Sequence, residues 1–309
     1  MKVTFVSISD WGNVGYLFAK SMQKVGVDAK AVIKNPHPFN YPEHAKLYED
    51  LTSLQMLIKD TDVIVFMHTQ WPGQLNLIGK RVVVFHGGST YRKNKIGWNS
   101  FWNPKIDITL IQTPDLMGYG AKNEILFPPP VDEEMIKPVY EQTNPGTVVF
   151  AHFPRSGVLK GSQVIISSMR KIKRDRTLNQ KIRFNYTKNR VSWLENLKRI
   201  STCDVYIESQ QYMQGSQPLG EWGLTALEAA ALGKIVVTCF QNKENYEKRY
   251  GPCPIYSSNS PNELFKVVKY LIEMPTEELI EKKRQTRQWV ETQHGLKATG
   301  ERLKEILLM

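Results

Sequence analysis

The chain has 309 residues, of which 41% are hydrophobic and 23% charged, with a formal net charge of +11. That is the composition of folded domains and excludes the disordered and fibrous classes. No run approaches the roughly 18 uninterrupted apolar residues of a spanning helix, and three cysteines without CxxC spacing argue against a disulfide framework or a zinc site and for a reducing compartment.

The length suits two domains of ordinary size. The first residues, MKVTFVSISD, carry one lysine and a short apolar stretch before Asp10. This lacks the apolar core and cleavage signature of a signal peptide, so a cytoplasmic or at most peripheral-membrane protein is expected.

In chain order, VTFVSI within residues 2–9 reads as a buried strand, followed by a turn from Trp11 to Gly15 and a helix-like stretch, YLFAKSMQKVG. Further strands are expected at 29–34, 62–68, 81–87 and 108–113, a spacing that predicts a parallel α/β sheet. The richest cluster of breakers follows: Phe127-Pro128-Pro129-Pro130-Val131-Asp132, then Pro138 and Asn144-Pro145-Gly146. It marks a domain boundary. A second α/β series has strands at 147–153, 181–186, 204–209 and 234–240, with helical periodicity in VIISSMRKIKR and WLENLKRI and across 276–309.

Charge is unevenly placed. Between Arg155 and Arg199 thirteen Lys or Arg stand against only Asp175 and Glu195. Such a run is either a solvated face or the footprint of an acidic partner, nucleic acid or an anionic membrane surface.

The most informative run is Gly220-Glu221-Trp222-Gly223-Leu224-Thr225-Ala226-Leu227-Glu228, continuing through alanines to Gly233 and the strand IVVT. Glycines open a helix, strong helix formers fill it and Gly233 stops it. Its N-terminus at Gly223, Leu224 and Thr225 offers unpaired N–H groups and a positive dipole end to an anion such as a diphosphate. Helical spacing sets Glu221, Thr225 and Glu228 on one polar face. A second segment, His152-Phe153-Pro154-Arg155-Ser156-Gly157-Val158-Leu159-Lys160-Gly161, follows a strand and brings two cations, Arg155 and Lys160, before a helix start.

These two segments, in this order, resemble the donor-binding motifs of family 4 glycosyltransferases and their glycogen-synthase-like relatives. PPPVD at 128–132 and TCDVYIES at 202–209 resemble the family's interdomain linker and the strand before its glutamate helix. The resemblance implies that Arg155 and Lys160 grip a donor diphosphate and that Glu228 binds the donor ribose. The family's first glutamate falls at Gly220 here, and the nearest acid, Glu221, stands one residue late.

In the first half, Gly12 and Gly15 occupy the first β–α turn, where the family lets a backbone approach donor or acceptor. His68 and His86 end strands, and open α/β sheets bind ligands at strand ends. His86, before Gly87-Gly88-Ser89, lies where the family places a histidine near the acceptor. Tyr91-Arg92-Lys93 is either an anion contact or a loop.

The expected fold is therefore α/β and GT-B: two Rossmann-like domains with parallel sheets facing across a cleft. The divisions are 1–135 on the acceptor side, 136–289 for the nucleotide sugar, and a terminal helix, 290–309, which the resemblance implies crosses back to the first domain. The expected function is hexosyl transfer from a nucleotide-diphosphate sugar, a co-substrate rather than a cofactor, with retention of configuration as the resemblance implies and metal-independent because the expected cations are side chains. Arg155, Lys160, Glu221 and His86 are the candidate catalytic residues; Gly12, Gly15, Arg155, Lys160, Gly223, Leu224, Thr225 and Glu228 are the candidate donor contacts. The basic 155–199 region, with Phe184, Tyr186 and Trp193 interleaved, keeps open a nucleic-acid-binding protein, or a glycosyltransferase acting on a nucleic-acid base. A dinucleotide-dependent dehydrogenase is disfavoured because the first turn lacks GxGxxG.

Overall fold

A computed structural model of the chain describes residues 1–142, 144–214, 217–218 and 221–308, with backbone alone at 213–214 and 217–218. It separates into two compact units, Met1–Asp132 with Gln293–Met309, and Glu133–Thr292. The divisions fall at 132/133 and 292/293 rather than at 135/136 and 289/290.

The first unit is built on strands β1 (Lys2–Ser9), β2 (Asp28–Asn35), β3 (Lys46–Leu47), β4 (Val63–Phe66), β5 (Arg81–His86), β6 (Ile108–Ile111) and β7 (Glu124–Leu126). They form one sheet in the order β3-β2-β1-β4-β5-β6-β7, and its pairings are parallel. Its central strands are buried on both faces, which is why they read as continuous Val, Ile and Phe rather than as alternating residues. Helices α1 (Val14–Lys24), α2 (Leu51–Ile58), α3 (Gly88–Lys93) and α4 (Lys95–Trp102) connect them. Helix α2 starts where a capping box dictates: Asp50 Oδ1 accepts from the Ser53 amide at 2.7 Å while Ser53 Oγ accepts from the Asp50 amide at 3.0 Å.

The second unit has β8 (Val148–His152), α5 (Ser162–Arg174), β9 (Ile182–Tyr186), α6 (Trp193–Ser201) and β10 (Val205–Ser209). An antiparallel pair follows, β11 (Met213–Gln214) with β12 (Gln217–Pro218). Then come α7 (Leu224–Ala231), β13 (Ile235–Thr238), α8 (Lys243–Tyr250), β14 (Tyr256–Ser257), α9 (Pro261–Glu273) and α10 (Thr276–Gln293). The order β14-β13-β10-β8-β9 is again parallel. One face is sealed by Ile165, Met169 and Ile172 of α5 with Leu264, Val268 and Leu271 of α9.

Three buried charged side chains are structural here. Lys283 and Asp204, both fully buried, pair at 2.6 Å, and Lys283 Nζ also donates to the Tyr140 and Glu141 carbonyls. Arg287 donates to the carbonyls of Ala231, at the end of α7, and of Glu133 and Ile136, which fastens the start of the unit to α10.

The helical stretch 276–309 is two helices, broken at His294-Gly295, and the second, α11 (Leu296–Leu308), belongs to the first unit. There α11 lies on α1 so closely that a Cβ built on Gly300 would stand 2.1 Å from the Ser21 carbonyl oxygen.

Both sheets share one topological feature. The first strand of each is flanked by the second on one side and by a later strand on the other: β1 lies between β2 and β4, and β8 between β9 and β10. Helices leaving such a strand pair diverge to opposite faces and open a crevice at the carboxyl ends of the strands.

Candidate functional site

In the second unit that crevice is formed by the ends of β8 and β10. The loop after β8 is tightly folded: the amides of Lys160, Gly161 and Ser162 bond back to the carbonyls of Ser156, Val158 and Gly157, and Lys160 O accepts from the Gln210 amide at 2.9 Å. Gly161 carries a φ of +62, and a Cβ there would meet the Gln210 carbonyl carbon at 2.4 Å. Glycine is what lets the loop close against the end of β10.

This folding aims Lys160 across the strand ends, where its ammonium donates to Glu208 Oε1. Glu208 is 2% exposed at the end of an apolar strand. Gly223, the N-cap of α7, sits over the pair: a Cβ built there would lie 2.9 Å from Glu208 Oε1 and 3.3 Å from Lys160 Nζ. No side chain caps α7, so its first amides open directly above an ammonium. A helix start and a cation together form a seat for an anion. Arg155 is exposed on the same loop, and Lys188, from the loop after β9, brings its Cε to 3.3 Å from the Cβ position of Gly157.

Beneath this seat lie buried titratable groups. Glu228 of α7 is 5% exposed, and its Oε1 accepts from the Trp193 indole N–H at 2.7 Å. Burial pushes the Glu228 carboxyl up to about 7, opposed by the indole bond and assisted by the charge of Glu208. His152 donates from Nδ1 to the Ile207 carbonyl at 2.7 Å, which leaves Nε2 to accept from Ser162 Oγ at 2.9 Å. Burial lowers its pKa to about 4, so the ring is neutral and serves to tie β8 to β10 and α5.

The structure brings Lys160 and Gly223 together and adds Glu208. It sets Leu224 and Thr225 in the first turn of α7 and Glu228 further along the same helix. One reading is corrected: Glu221 does not share a helical face with Thr225 and Glu228, because Gly223 is extended (φ −106, ψ −175) and the helix starts only after it. Glu221 Oε1 accepts from Asn242 Nδ2 at 2.7 Å instead. Gly220, the position matched to the family's first glutamate, lies outside the described residues. Sequence reasoning gives Glu208 and Lys188 no role in the site and reads Trp193 only as an aromatic of the basic region; the available signal for Glu208 is an acid inside the apolar run VYIES.

The first unit's crevice is filled by its own chain. Asp10, 1% exposed, accepts from the amides of Gly15 (2.8 Å) and Tyr16 (3.0 Å) at the start of α1, and His68 Nε2 lies 2.9 Å from Asp10 Oδ1. The anion position of this helix thus holds a carboxylate. Gly12, with φ +74, donates its amide to His37 Nε2 at 3.2 Å. The amides of Gly12 and Gly15 are therefore committed within the first unit. His86 is fully buried, stacked on Tyr91 at 4.2 Å with Nδ1 3.1 Å from Thr69 Oγ1, and its Nε2 has no hydrogen-bond partner. Burial lowers its pKa to about 3, so it is a neutral ring. Arg92 is tied to Asp115 at 2.5 Å.

Among the described residues no cluster of His, Cys, Asp or Glu is arranged to hold a metal ion, and no helix is long and apolar enough to cross a membrane. Cys203, Cys239 and Cys253 are buried free thiols, each pushed up to about 12 by burial.

No family model matches the chain, and no curated protein matches it. Solved structures do. HepE of Anabaena, in complex with UDP-glucose, is 12% identical over 100% of this chain and 99% of that chain, with a TM-score of 0.68. An alpha-glucosyltransferase in complex with UDP is 12% identical over 100% of both chains, TM-score 0.66. The sucrose-phosphate synthase from Thermosynechococcus elongatus is 11% identical over 100% of this chain and 98% of that one, TM-score 0.65. At such identities the likeness establishes the fold, GT-B with two Rossmann-like domains; function has to be argued from the site.

Proposed function

We infer that this chain is a glycosyltransferase that takes a sugar from a nucleotide-diphosphate donor held by its second unit. The observation that carries the reading is the meeting of Lys160, Glu208 and the open, glycine-capped start of α7 at the switch point of the second sheet. Chains of the same fold that are named for UDP or UDP-glucose complexes support a uridine diphosphate donor as the first to test.

The chemistry follows from charge. As the glycosidic bond to the donor breaks, negative charge grows on the departing diphosphate. A cation and backbone amides already in place stabilise that charge more than they stabilise the bound donor. Lys160 and the first amides of α7 supply this, and Arg155, exposed on the same loop, adds a second cation. Glu228, titrating near 7, can accept from or donate to a ribose hydroxyl. Hexosyl transfer with retention, expected from the family 4 resemblance, is part of this reading, and so is metal independence, since the cations at the diphosphate are side chains. So is a cytoplasmic or peripheral location, in keeping with three buried free thiols. The acceptor is left to the first unit, without direct contact from His86, which is fully buried, and an acidic acceptor such as nucleic acid would suit the cations of 155–199.

The test is thermal unfolding with UDP, GDP and ADP and their glucose conjugates, since a ligand that binds only the folded state raises Tm. A rise with one nucleotide, lost in Lys160→Ala and reduced in Arg155→Ala, is the expected result. No rise with any nucleotide, together with salt-sensitive binding of an oligonucleotide, would replace the transferase by a nucleic-acid-binding protein.

A further inference from the structure

We propose that Glu208 is a positioning residue of the donor site, holding the Lys160 ammonium over the open start of α7 while that ammonium grips the diphosphate. The proposal rests on the donor reading above and adds a residue that neither the motif nor the resemblance singles out.

Two arrangements are conceivable when an anion arrives: Lys160 leaves Glu208, or it bridges both. Burial decides between them. The Glu208 side chain is 1% exposed and that of Lys160 29% exposed. A carboxylate stripped of its partner at that depth is left desolvated and uncompensated, whereas an ammonium has three donors and can keep one on Glu208 while offering the others outward. Lys160 therefore stays on its carboxylate, and Glu208 fixes where the ammonium stands.

Gly223 agrees with this geometry. Its Cβ position falls within 2.9 Å of Glu208 Oε1 and 3.3 Å of Lys160 Nζ, so the pair is aligned with the helix start rather than turned into the loop. Glu221, the acid the motif would favour, is bonded to Asn242. The charge of Glu208 also acts on Glu228, adding to the rise that burial causes, and on His152, where it opposes the larger lowering by burial. The negative charge at 208 is thus felt by the neighbouring buried acid, and its removal has a pH signature that loss of packing alone lacks.

The experiment compares the parent with Glu208→Gln, Glu208→Asp, Lys160→Met and the double variant Lys160→Met/Glu208→Gln. Calorimetry with UDP across pH 5.5–8.5 is read beside thermal unfolding. Glu208→Gln should bind UDP about tenfold or more weakly, with the titration of Glu228 displaced to lower pH. In the Lys160→Met background the same change should add little, because its effect runs through Lys160. Should Glu208→Gln fail to fold, Glu208→Asp serves: it keeps the charge, draws the ammonium back by one methylene and should weaken UDP without displacing the titration. Unchanged or tighter UDP binding in the folded variants, or an equal loss with and without Lys160, overturns the proposal. A parent that binds no nucleoside diphosphate overturns the donor reading instead, so the two failures are distinct.

Discussion

The indole N–H of Trp193, at the start of α6, donates to Glu228 Oε1 of α7 at 2.7 Å, and both side chains are buried. The bond favours the charged carboxylate and burial favours the neutral acid; burial wins, placing the carboxyl near 7 against an ordinary value of 4.5. The contact therefore ties two helices of the second unit through a group that changes charge near neutrality.

This fixes the sign of a pH dependence. Between about pH 4.5 and 7 the unfolded chain has released a proton that the folded chain still holds at Glu228. The stability associated with this group is complete below the lower value and is lost as pH rises through the upper one. Glu228→Gln removes the titration, so its stability relative to the parent should improve by about 3 kcal/mol between pH 4.5 and 7.5. Urea denaturation at several pH values measures it. A difference that does not change with pH would mean that Glu228 titrates normally.

The buried pair of Lys283 and Asp204 should behave differently, because no water can replace either partner. Asp204 Oδ2 accepts from the Val149 amide at 2.8 Å, so the carboxylate is anchored to β8 and stays when the lysine goes. Lys283→Met should destabilise the chain by about 3–5 kcal/mol, and adding Asp204→Asn should recover part of the loss. Denaturant midpoints of the single and double variants read this directly. A single variant within 1 kcal/mol of the parent, by the same scale, would contradict it.

Gly300 offers a test in which two effects have opposite signs. In a helix interior alanine is favoured over glycine by about 1 kcal/mol, so Gly300→Ala would stabilise an isolated α11. Here the new Cβ would lie 2.1 Å from the Ser21 carbonyl oxygen of α1. Contact with backbone cannot be relieved by a rotamer, so overpacking of about 1–3 kcal/mol should win. We expect a lower Tm and faster proteolysis near the C-terminus; a raised Tm would show that α11 does not pack on α1 in this way.

The parts of this molecule that could be read in advance are those fixed by local chemistry. Continuous apolar runs gave the central strands, because residues such as Val82, Val83 and Val84 are buried on both faces. The two-residue strands Lys46–Leu47 and Tyr256–Ser257 carry no such run and exist only through pairing with β2 and β13. In the site, Lys160 and Gly223 were legible because a loop and a helix start each carry a spacing pattern. Glu208 was not: its partner is 48 residues away in sequence, and nothing local marks an acid at the end of an apolar strand as paired. Helical spacing puts Glu221 on the face of Thr225 and Glu228 only if Gly223 is helical, and tertiary context holds Gly223 extended.

The two glycines bordering Lys160 separate fold from site. Gly161 has a φ of +62, and its Cβ would meet the Gln210 carbonyl carbon at 2.4 Å, so alanine there is opposed both by the left-handed backbone, about 1–2 kcal/mol, and by a rigid neighbour. Gly223 is extended, with φ −106, a conformation open to alanine. Its Cβ would press only on the ends of two flexible side chains, Glu208 Oε1 at 2.9 Å and Lys160 Nζ at 3.3 Å. Those ends can move aside without unfolding anything, but doing so shifts the ammonium from the start of α7. Gly161→Ala should therefore lower Tm by several degrees, since about 1 kcal/mol moves Tm by a few degrees in a chain of this size. Gly223→Ala should leave Tm nearly unchanged while weakening UDP binding about tenfold, which corresponds to about 1.4 kcal/mol. Thermal unfolding and calorimetry on the same two variants decide the matter. If Gly223→Ala binds UDP as the parent does, the α7 start is not where the diphosphate sits; if it unfolds as readily as Gly161→Ala, the glycine is a packing requirement and not an opening.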